Sequence, residues 1–492
     1  MMGTINNIWI GRTAYQIVVD RFNRSGKKLE HINGRKLKEW HDRMPDWKPD
    51  CDGEYRNLFF YGGDLKGIEQ KLSYIKRLGF DMIYLTPIEQ SSSYHHYDVG
   101  NHLLIDPWIG TWDDFQSLCQ KAKEQDILIV VDLVFNHTGI NSIYFGNPKY
   151  QGWYTGSYWA GFKDMPECNT LSKDYQKAMT QVIEKYLENG ASGIRLDLGE
   201  NLSKEFLQAI AEVKKAYPNT IFIGEMWAIA TDKEDPKILD GQLDSVMNYP
   251  MGDAILRWTR YGKNQHFAYN FGRVNGEYPK SIKNVLLNNI ATHDTPTAIS
   301  MLVGDKMNPD VFNGRIWDIE GPWRYYGGFD TYKFREYEAE HDRLSEILYI
   351  QGKKMLKIAL AIMYTIPGIP CVYQGTEIAD SGYKDPFNRK PYNWDNQEEE
   401  MKDFVQKLGK YRKENSDILG TGDAYLLKNT ESVLILERRS KTGRLILAVN
   451  RTSQVQDISL QSYVHSPRIV FNHTCNSMIR LNPYGIIIVR KD

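Results

Sequence analysis

Eight short apolar runs, each followed by a helical pattern, constrain this chain more than any other feature. The runs cover about 14–20, 82–88, 127–134, 193–198, 221–227, 245–249, 285–290 and 371–375, with helical stretches such as 66–78, 111–125, 173–189 and 204–216 between them. Strands that alternate with helices build a parallel sheet. Eight such units close into a (β/α)8 TIM barrel, whose reactive face lies at the C-terminal ends of the strands. Two connections are too long to be plain loops. One, about 138–171, follows the third strand and is rich in Tyr, Trp and Gly; it reads as a small excursion domain. The other, about 302–347, follows the seventh strand and carries Trp317, Trp323, Tyr325, Tyr326 and Tyr332. From about Thr421 the pattern changes to short alternating runs at 432–437, 444–449, 468–471 and 485–489. These predict a C-terminal antiparallel β-sandwich. The expected division is a barrel over 1–137 and 172–412, an excursion domain over 138–171 and a β-domain over 413–492.

Three of the barrel runs end on an acid. In Gly193-Ile-Arg-Leu-Asp197, residues two apart share a face, so Arg195 and Asp197 project together while Ile194 and Leu196 point away. A guanidinium beside a carboxylate favours its charged form, which suits a nucleophile. The next run ends Gly224-Glu225-Met-Trp227, where partial desolvation among apolar neighbours suits a protonated acid. A third ends Thr292-His293-Asp294. Retaining glycoside hydrolysis uses one ionised and one protonated carboxyl about 5 Å apart. A third carboxylate can hold two sugar hydroxyls and stabilise an oxocarbenium-like transition state. Taken singly, each motif has a plainer explanation: a structural ion pair, the start of a loop, an N-cap. Their order and spacing together carry the reading.

Composition narrows the partners. A net charge of −1 gives no reason to expect nucleic acid or an anionic membrane. With 31 Tyr and 12 Trp the chain is rich in rings that are flat, apolar and polar-tipped, which suit sugar faces, although most of them fill the core. Five widely spaced cysteines with no CxxC pair disfavour a disulfide framework or a zinc site and fit a reducing compartment. There is no charged leader and no membrane-length apolar stretch. The expected location is the cytoplasm, and the expected state a monomer or weak oligomer.

The motifs Asp132-Leu-Val-Phe-Asn136-His137, Gly193-Ile-Arg195-Leu-Asp197, Gly224-Glu225-Met-Trp227 and Thr292-His293-Asp294, with Met165-Pro-Glu-Cys-Asn169 in the excursion, occur in the order seen in one family. Through them the chain resembles the α-amylase family of glycoside hydrolases over nearly its whole length. The stretches Tyr15–Phe22, Gly62-Gly-Asp64, Asp244–Pro250 and Asp385-Pro-Phe-Asn-Arg389 are similar to the neopullulanase, cyclomaltodextrinase and maltogenic amylase group. The resemblance implies that Asp197 is the nucleophile, Glu225 the general acid/base and Asp294 the transition-state stabiliser. It also implies sugar contacts from Arg195, His137, His293 and Tyr97, with His95, Asp98 and Trp227 nearby. Asp385 and Arg389 would close the non-reducing side of the cleft; a surface ion pair is the competing reading for those two. The barrel pattern begins almost at residue 1, where that group carries an extra N-terminal β-domain, and Glu200-Asn201 stands where many members have Lys-His. The family's calcium points to Asn136 and Asp64, but Lys27 and Lys28 in the first loop oppose a cation. No cofactor is expected to be required.

Three functions follow as expectations. The first is hydrolysis of α-1,4 bonds in maltodextrins, extending to cyclodextrins or pullulan. The second is a 4-α-glucanotransferase with the same triad, for which the 317–332 aromatics are a candidate acceptor platform. The third, with little weight, is a barrel that binds sugar without turning it over, since its triad is intact.

Overall fold

The computed structural model describes residues 8–48, 57–232, 241–304, 339–340, 343–475 and 478–492. Eight parallel strands form the barrel: β1 Ala14–Ile17, β2 Met82–Leu85, β3 Leu128–Leu133, β4 Gly193–Leu196, β5 Ile221–Gly224, β6 Ser245–Val246, β7 Leu287–Asn289 and β8 Ile369–Tyr373. Their order is β6-β5-β4-β3-β2-β1-β8-β7. The two edges meet through a parallel bridge between Met247 and Leu287, and Asn248 N donates to the Leu287 carbonyl at 2.8 Å. All eight expected runs are therefore barrel strands, seven of them shorter than the apolar run and the eighth, Ile369–Tyr373, shifted two residues toward the N-terminus. The surplus residues turn over the top of the barrel, where several carry the site.

The helices pack outside on apolar stripes and start where side chains can cap them. Thr111 and Asp114 form a reciprocal capping box for helix Trp112–Glu124, and the hydroxyls of Ser172 and Ser203 cap Lys173–Glu188 and Lys204–Ala216. The stretch expected as one helix over 66–78 is two, Leu65–Gln70 and Leu72–Arg77, which meet at Lys71 with ψ near 3°. Ile194, Leu196, Phe206 and Ile210 lie in the outer core between sheet and helices, whereas Met82, Val130, Ile221 and Leu287 fill the barrel interior.

The excursion contains a small antiparallel pair, Tyr154–Tyr158 with Pro166–Cys168. At the C-terminal end, strands β9 Asp423–Asn429, β10 Val433–Ser440, β11 Gly443–Asn450, β12 Arg468–His473 and β13 Ile486–Lys491 make an antiparallel sheet in the order β9-β10-β11-β13-β12. A short pair, Gln456–Asp457 with Arg480–Leu481, packs on its other side. Strand β9 had no match among the alternating runs, since it is half-exposed and carries a bulge near Leu426–Lys428. The aromatic cluster Trp317, Trp323, Tyr325, Tyr326 and Tyr332 lies outside the described residues. No described helix is long and apolar enough to cross a membrane. Cys119, Cys168, Cys371 and Cys475 are buried free thiols.

Candidate active site

Strand β4 delivers the central charge. A Cβ on Gly193 would meet Ile221 Cγ2 at 2.5 Å, so only glycine lets β5 lie this close. Two residues on, Arg195 is fully buried and sits level with Asp132 of β3 in the parallel register. Its Nη1 donates to Asp132 Oδ1 at 2.7 Å and to Asp197 Oδ1 at 2.9 Å. Its Nη2 lies 3.0 Å from Glu225 Oε2, an ion pair out of line for a hydrogen bond.

Glu225 follows β5. Leu198 N donates to its Oε2 at 2.8 Å and Trp227 Nε1 to its Oε1 at 3.0 Å. Trp227 is held flat on Tyr249, ring centroids 3.9 Å apart. Leu198 has φ +47°, an uncommon conformation for a branched side chain, and this is the residue whose amide meets the Glu225 carboxyl.

One guanidinium thus serves three carboxyls, which corrects the expectation that Arg195 keeps Asp197 ionised by itself. Burial, reinforced by the neighbouring Glu225, pushes Asp197 well above the ordinary carboxyl range despite Arg195. Burial likewise lifts Asp132 to about 6 and Asp294 to about 7. Carboxyls packed this closely titrate as a set and share protons near neutral pH.

Asp294, past the end of β7, has its Oδ1 3.2 Å from His293 Nε2 and 3.4 Å from Arg389 Nη2. His293 is the hub of a buried relay. Gln16 of β1 donates to its Nδ1 at 2.8 Å, and its Nε2 bonds the Tyr97 hydroxyl. That hydroxyl donates to Asp132 Oδ2 at 2.8 Å, as does the Tyr84 hydroxyl at 2.7 Å. With Nδ1 accepting, the proton of the neutral ring lies on Nε2. Burial and the Arg389 charge hold His293 well below the usual histidine range, so it is neutral at pH 7.

Tyr97 remains half-buried, with His293 parallel to it at 5.2 Å and His95 stacked at 6.0 Å. His95 Nδ1 accepts from Tyr97 N at 3.1 Å. Asp98 accepts from both the Ser91 and Ser93 hydroxyls and from the amides of Ser92 and Ser93. Those two residues therefore brace the loop that presents Tyr97. His137 is buried flat against Trp159 at 5.0 Å, and among the described residues neither ring nitrogen makes a well-formed hydrogen bond. Burial lowers it to about 4, which leaves a neutral imidazole able to bond a hydroxyl.

Asp385 accepts from the Tyr94 hydroxyl at 2.9 Å and pairs with Arg389 at 3.5 Å. Arg389 is buried, which rules out a plain surface pair. Its Nε donates to the His293 carbonyl at 2.7 Å, and Asn388 donates to the carbonyls of His293 and Thr295 at 2.7 and 2.8 Å. The segment after β8 thus clamps the turn that holds Asp294.

Most of the residues singled out from the sequence converge on one network, but Gln16, Tyr84 and Asn388 were given no role there and Asp132 stood only at the head of its motif. Gln16, Tyr84 and Asp132 are polar side chains within apolar runs. That is the available signal. Protein donors already occupy the Asp64 carboxylate. Asp64 caps helix Leu65–Gln70 by accepting from Gly67 N at 2.6 Å and also takes the Ser25 hydroxyl at 2.6 Å. Arg24 reaches the carbonyls of Tyr61 and Lys38 beside it, and Lys27 Nζ reaches that of Pro107 at 2.9 Å. Among the described residues no three His, Cys, Asp or Glu side chains gather as metal ligands.

Residues 16–159 match the family model for the α-amylase catalytic domain. The chain is 28% identical over 540 residues to an amylopullulanase from Thermoanaerobacterium saccharolyticum, covering 93% of this chain and 39% of that protein. It is 28% identical over 475 residues to a cyclomaltodextrinase from Thermoanaerobacter pseudethanolicus, covering 91% of this chain and 71% of that one. Its fold matches that of the cyclic α-maltosyl-(1→6)-maltose hydrolase from Arthrobacter globiformis with a TM-score of 0.78 at 20% identity, over 98% and 100% of the two chains. By these matches the chain is similar to α-amylase family glycoside hydrolases, and residues 16–159 carry the pattern of that family's catalytic domain.

Proposed function

We propose that this protein is a retaining hydrolase of α-1,4-glucosidic bonds in maltodextrins and related α-glucans, with cyclodextrins and pullulan in reach. The observation that carries the reading is that Asp197 and Glu225, from adjacent strands, both approach the Arg195 guanidinium, at 2.9 and 3.0 Å. In the reaction the proton shared within the set sits on Glu225, which gives it to the glycosidic oxygen as the Asp197 carboxylate, bonded by Arg195 Nη1, attacks the anomeric carbon. The leaving sugar departs as an alcohol and a covalent glycosyl-enzyme forms. Glu225, now ionised, takes a proton from water. The water oxygen attacks the same carbon, which frees Asp197 and retains the configuration. Arg195 is a fixed cation next to both acids and stabilises whichever one bears charge. Asp294, His293 and His137 are placed to hold sugar hydroxyls, and Trp227 orients Glu225. No step uses a metal.

The names of the relatives, an amylopullulanase and a cyclomaltodextrinase, support the substrate class. The test is a time course on maltoheptaose with the wild type and Asp197→Asn side by side. Shorter sugars from the wild type alone are the expected result. Products longer than the substrate would replace hydrolysis by transfer, and binding without turnover by the wild type would overturn the enzymatic reading.

A further inference from the structure

A second cavity, of about 410 Å³, opens between the loop after β1 and the segment after β8, past the 385–389 clamp. Its walls include Trp40, Trp394, Tyr392 and Asn393, with His41 and Asp395 at the mouth. We infer that it is an accessory saccharide site, which holds a neutral glucan oligosaccharide without cleaving it. The choice of sugar rests on the function proposed above.

The walls are rigid. Trp40 Nε1 donates to the Tyr392 carbonyl at 3.0 Å and Trp394 Nε1 to the Phe22 carbonyl at 2.8 Å, which fixes both indoles. Trp394 is further held by Tyr392 at 4.3 Å and by Phe22 and Tyr74 edge-on. Their polar N–H groups are already bonded, so what the two rings offer a ligand is apolar surface. The rim offers hydrogen bonds instead. The Asn393 amide has no side-chain hydrogen bond among the described residues, and His41 and Asp395 are more than three-quarters exposed. A pyranose, flat and apolar on its faces and hydroxylated at its edge, matches that division.

Charge argues for a neutral ligand. His41 lies 3.4 Å from Asp395, Arg43 pairs with Asp380, and Arg24 donates to two carbonyls and covers one side of Trp40. Two of the three basic side chains of the lining thus face a carboxylate, and the third, Arg24, has Nε and Nη2 engaged by backbone carbonyls. The lining does not suit cleavage either, because among the described residues Asp395 is its one carboxyl and stands at its open edge, whereas glycoside hydrolysis uses two. The volume is within the range of small-molecule sites.

The test is calorimetric titration of maltotriose, too short to bridge two sites, into the full chain carrying Asp197→Asn. Two equivalents are expected. Adding Asn393→Trp, which fills the cavity, or the exposed pair His41→Ala and Asn393→Ala should remove one of the two, with thermal unfolding confirming that each variant is folded. A single equivalent in the parent, or two equivalents kept by folded Asn393→Trp, overturns the inference. Failure of the proposed function reads differently: the wild type would leave maltoheptaose intact, whatever the stoichiometry.

Discussion

Replacing Asp294 by Asn tests the electrostatic account of the site without relying on activity. Asp294 is lifted from 3.8 to about 7, with burial the largest cause and Glu225 the next. A carboxyl raised on folding is protonated in the folded chain and ionised in the unfolded one between those two values. The unfolded state then binds fewer protons, so stability falls as pH rises through the window and is lowest above about 7. At roughly 1.4 kcal/mol for each step of one in pKa, the ceiling on that loss is about 4 kcal/mol. The Asp294 side chain keeps 27% exposure, and water there reduces the expected figure to about 2 kcal/mol. Asn has the same shape and no charge, and Arg389 keeps Asp385 and the His293 carbonyl as partners. Asp294→Asn should therefore be more stable than the wild type by about 2 kcal/mol at pH 8 and nearly equal to it at pH 4. The assay is urea unfolding at pH 4, 6 and 8, read as the shift in midpoint. A gain that does not depend on pH, or a loss at pH 8, would refute the reasoning.

Other perturbations separate the remaining roles. His293→Phe removes the relay from Gln16 to Tyr97 along with any bond to a sugar hydroxyl, and should lower kcat/KM on maltoheptaose by about 100-fold, the scale seen for one preorganised donor. Trp227→Phe keeps a ring on Tyr249 but deletes the bond to Glu225; a fall in kcat of about 10-fold with KM little changed is expected in steady-state assays. A chelator should leave the melting temperature unchanged, whereas Arg24→Ala, which breaks two charge-assisted bonds to carbonyls, should cost about 2 kcal/mol in denaturant unfolding. A melting temperature that falls in chelator would restore calcium to the first loop.

The barrel was legible in the chain because its strands are buried on both faces and read as continuous apolar runs, with the acids at their ends. Arg195 and Asp197 were legible as a pair because they lie two apart on one strand. The reach of Arg195 to Asp132 and Glu225 was not, since it depends on the register of β4 against β3 and β5, which no local pattern records. The same holds for Gln16 and His293, 277 positions apart. Asp98 shows the opposite case: its partners in this structure are three serines just upstream, a local pattern that the sequence does not distinguish from a carboxylate awaiting a ligand.

At the far end of the barrel from the triad, two buried arginines have no carboxylate hydrogen-bond partner among the described residues. Arg412 donates to the carbonyls of Tyr364, Gly368 and Arg12, and Arg438 to those of Thr365, Leu419 and Gly422. Between them they gather the end of helix Glu346–Thr365, the approaches to β1 and β8, and the first turn into the C-terminal sheet. Six carbonyls that would otherwise seek water close over two cations that water cannot reach. Sheet and barrel floor are thereby one structural unit, and neither can open without stranding the charge held by the other. Heating should melt them in a single transition, and removing the sheet should open the barrel from below while its chemistry, at the opposite mouth, is still formally complete.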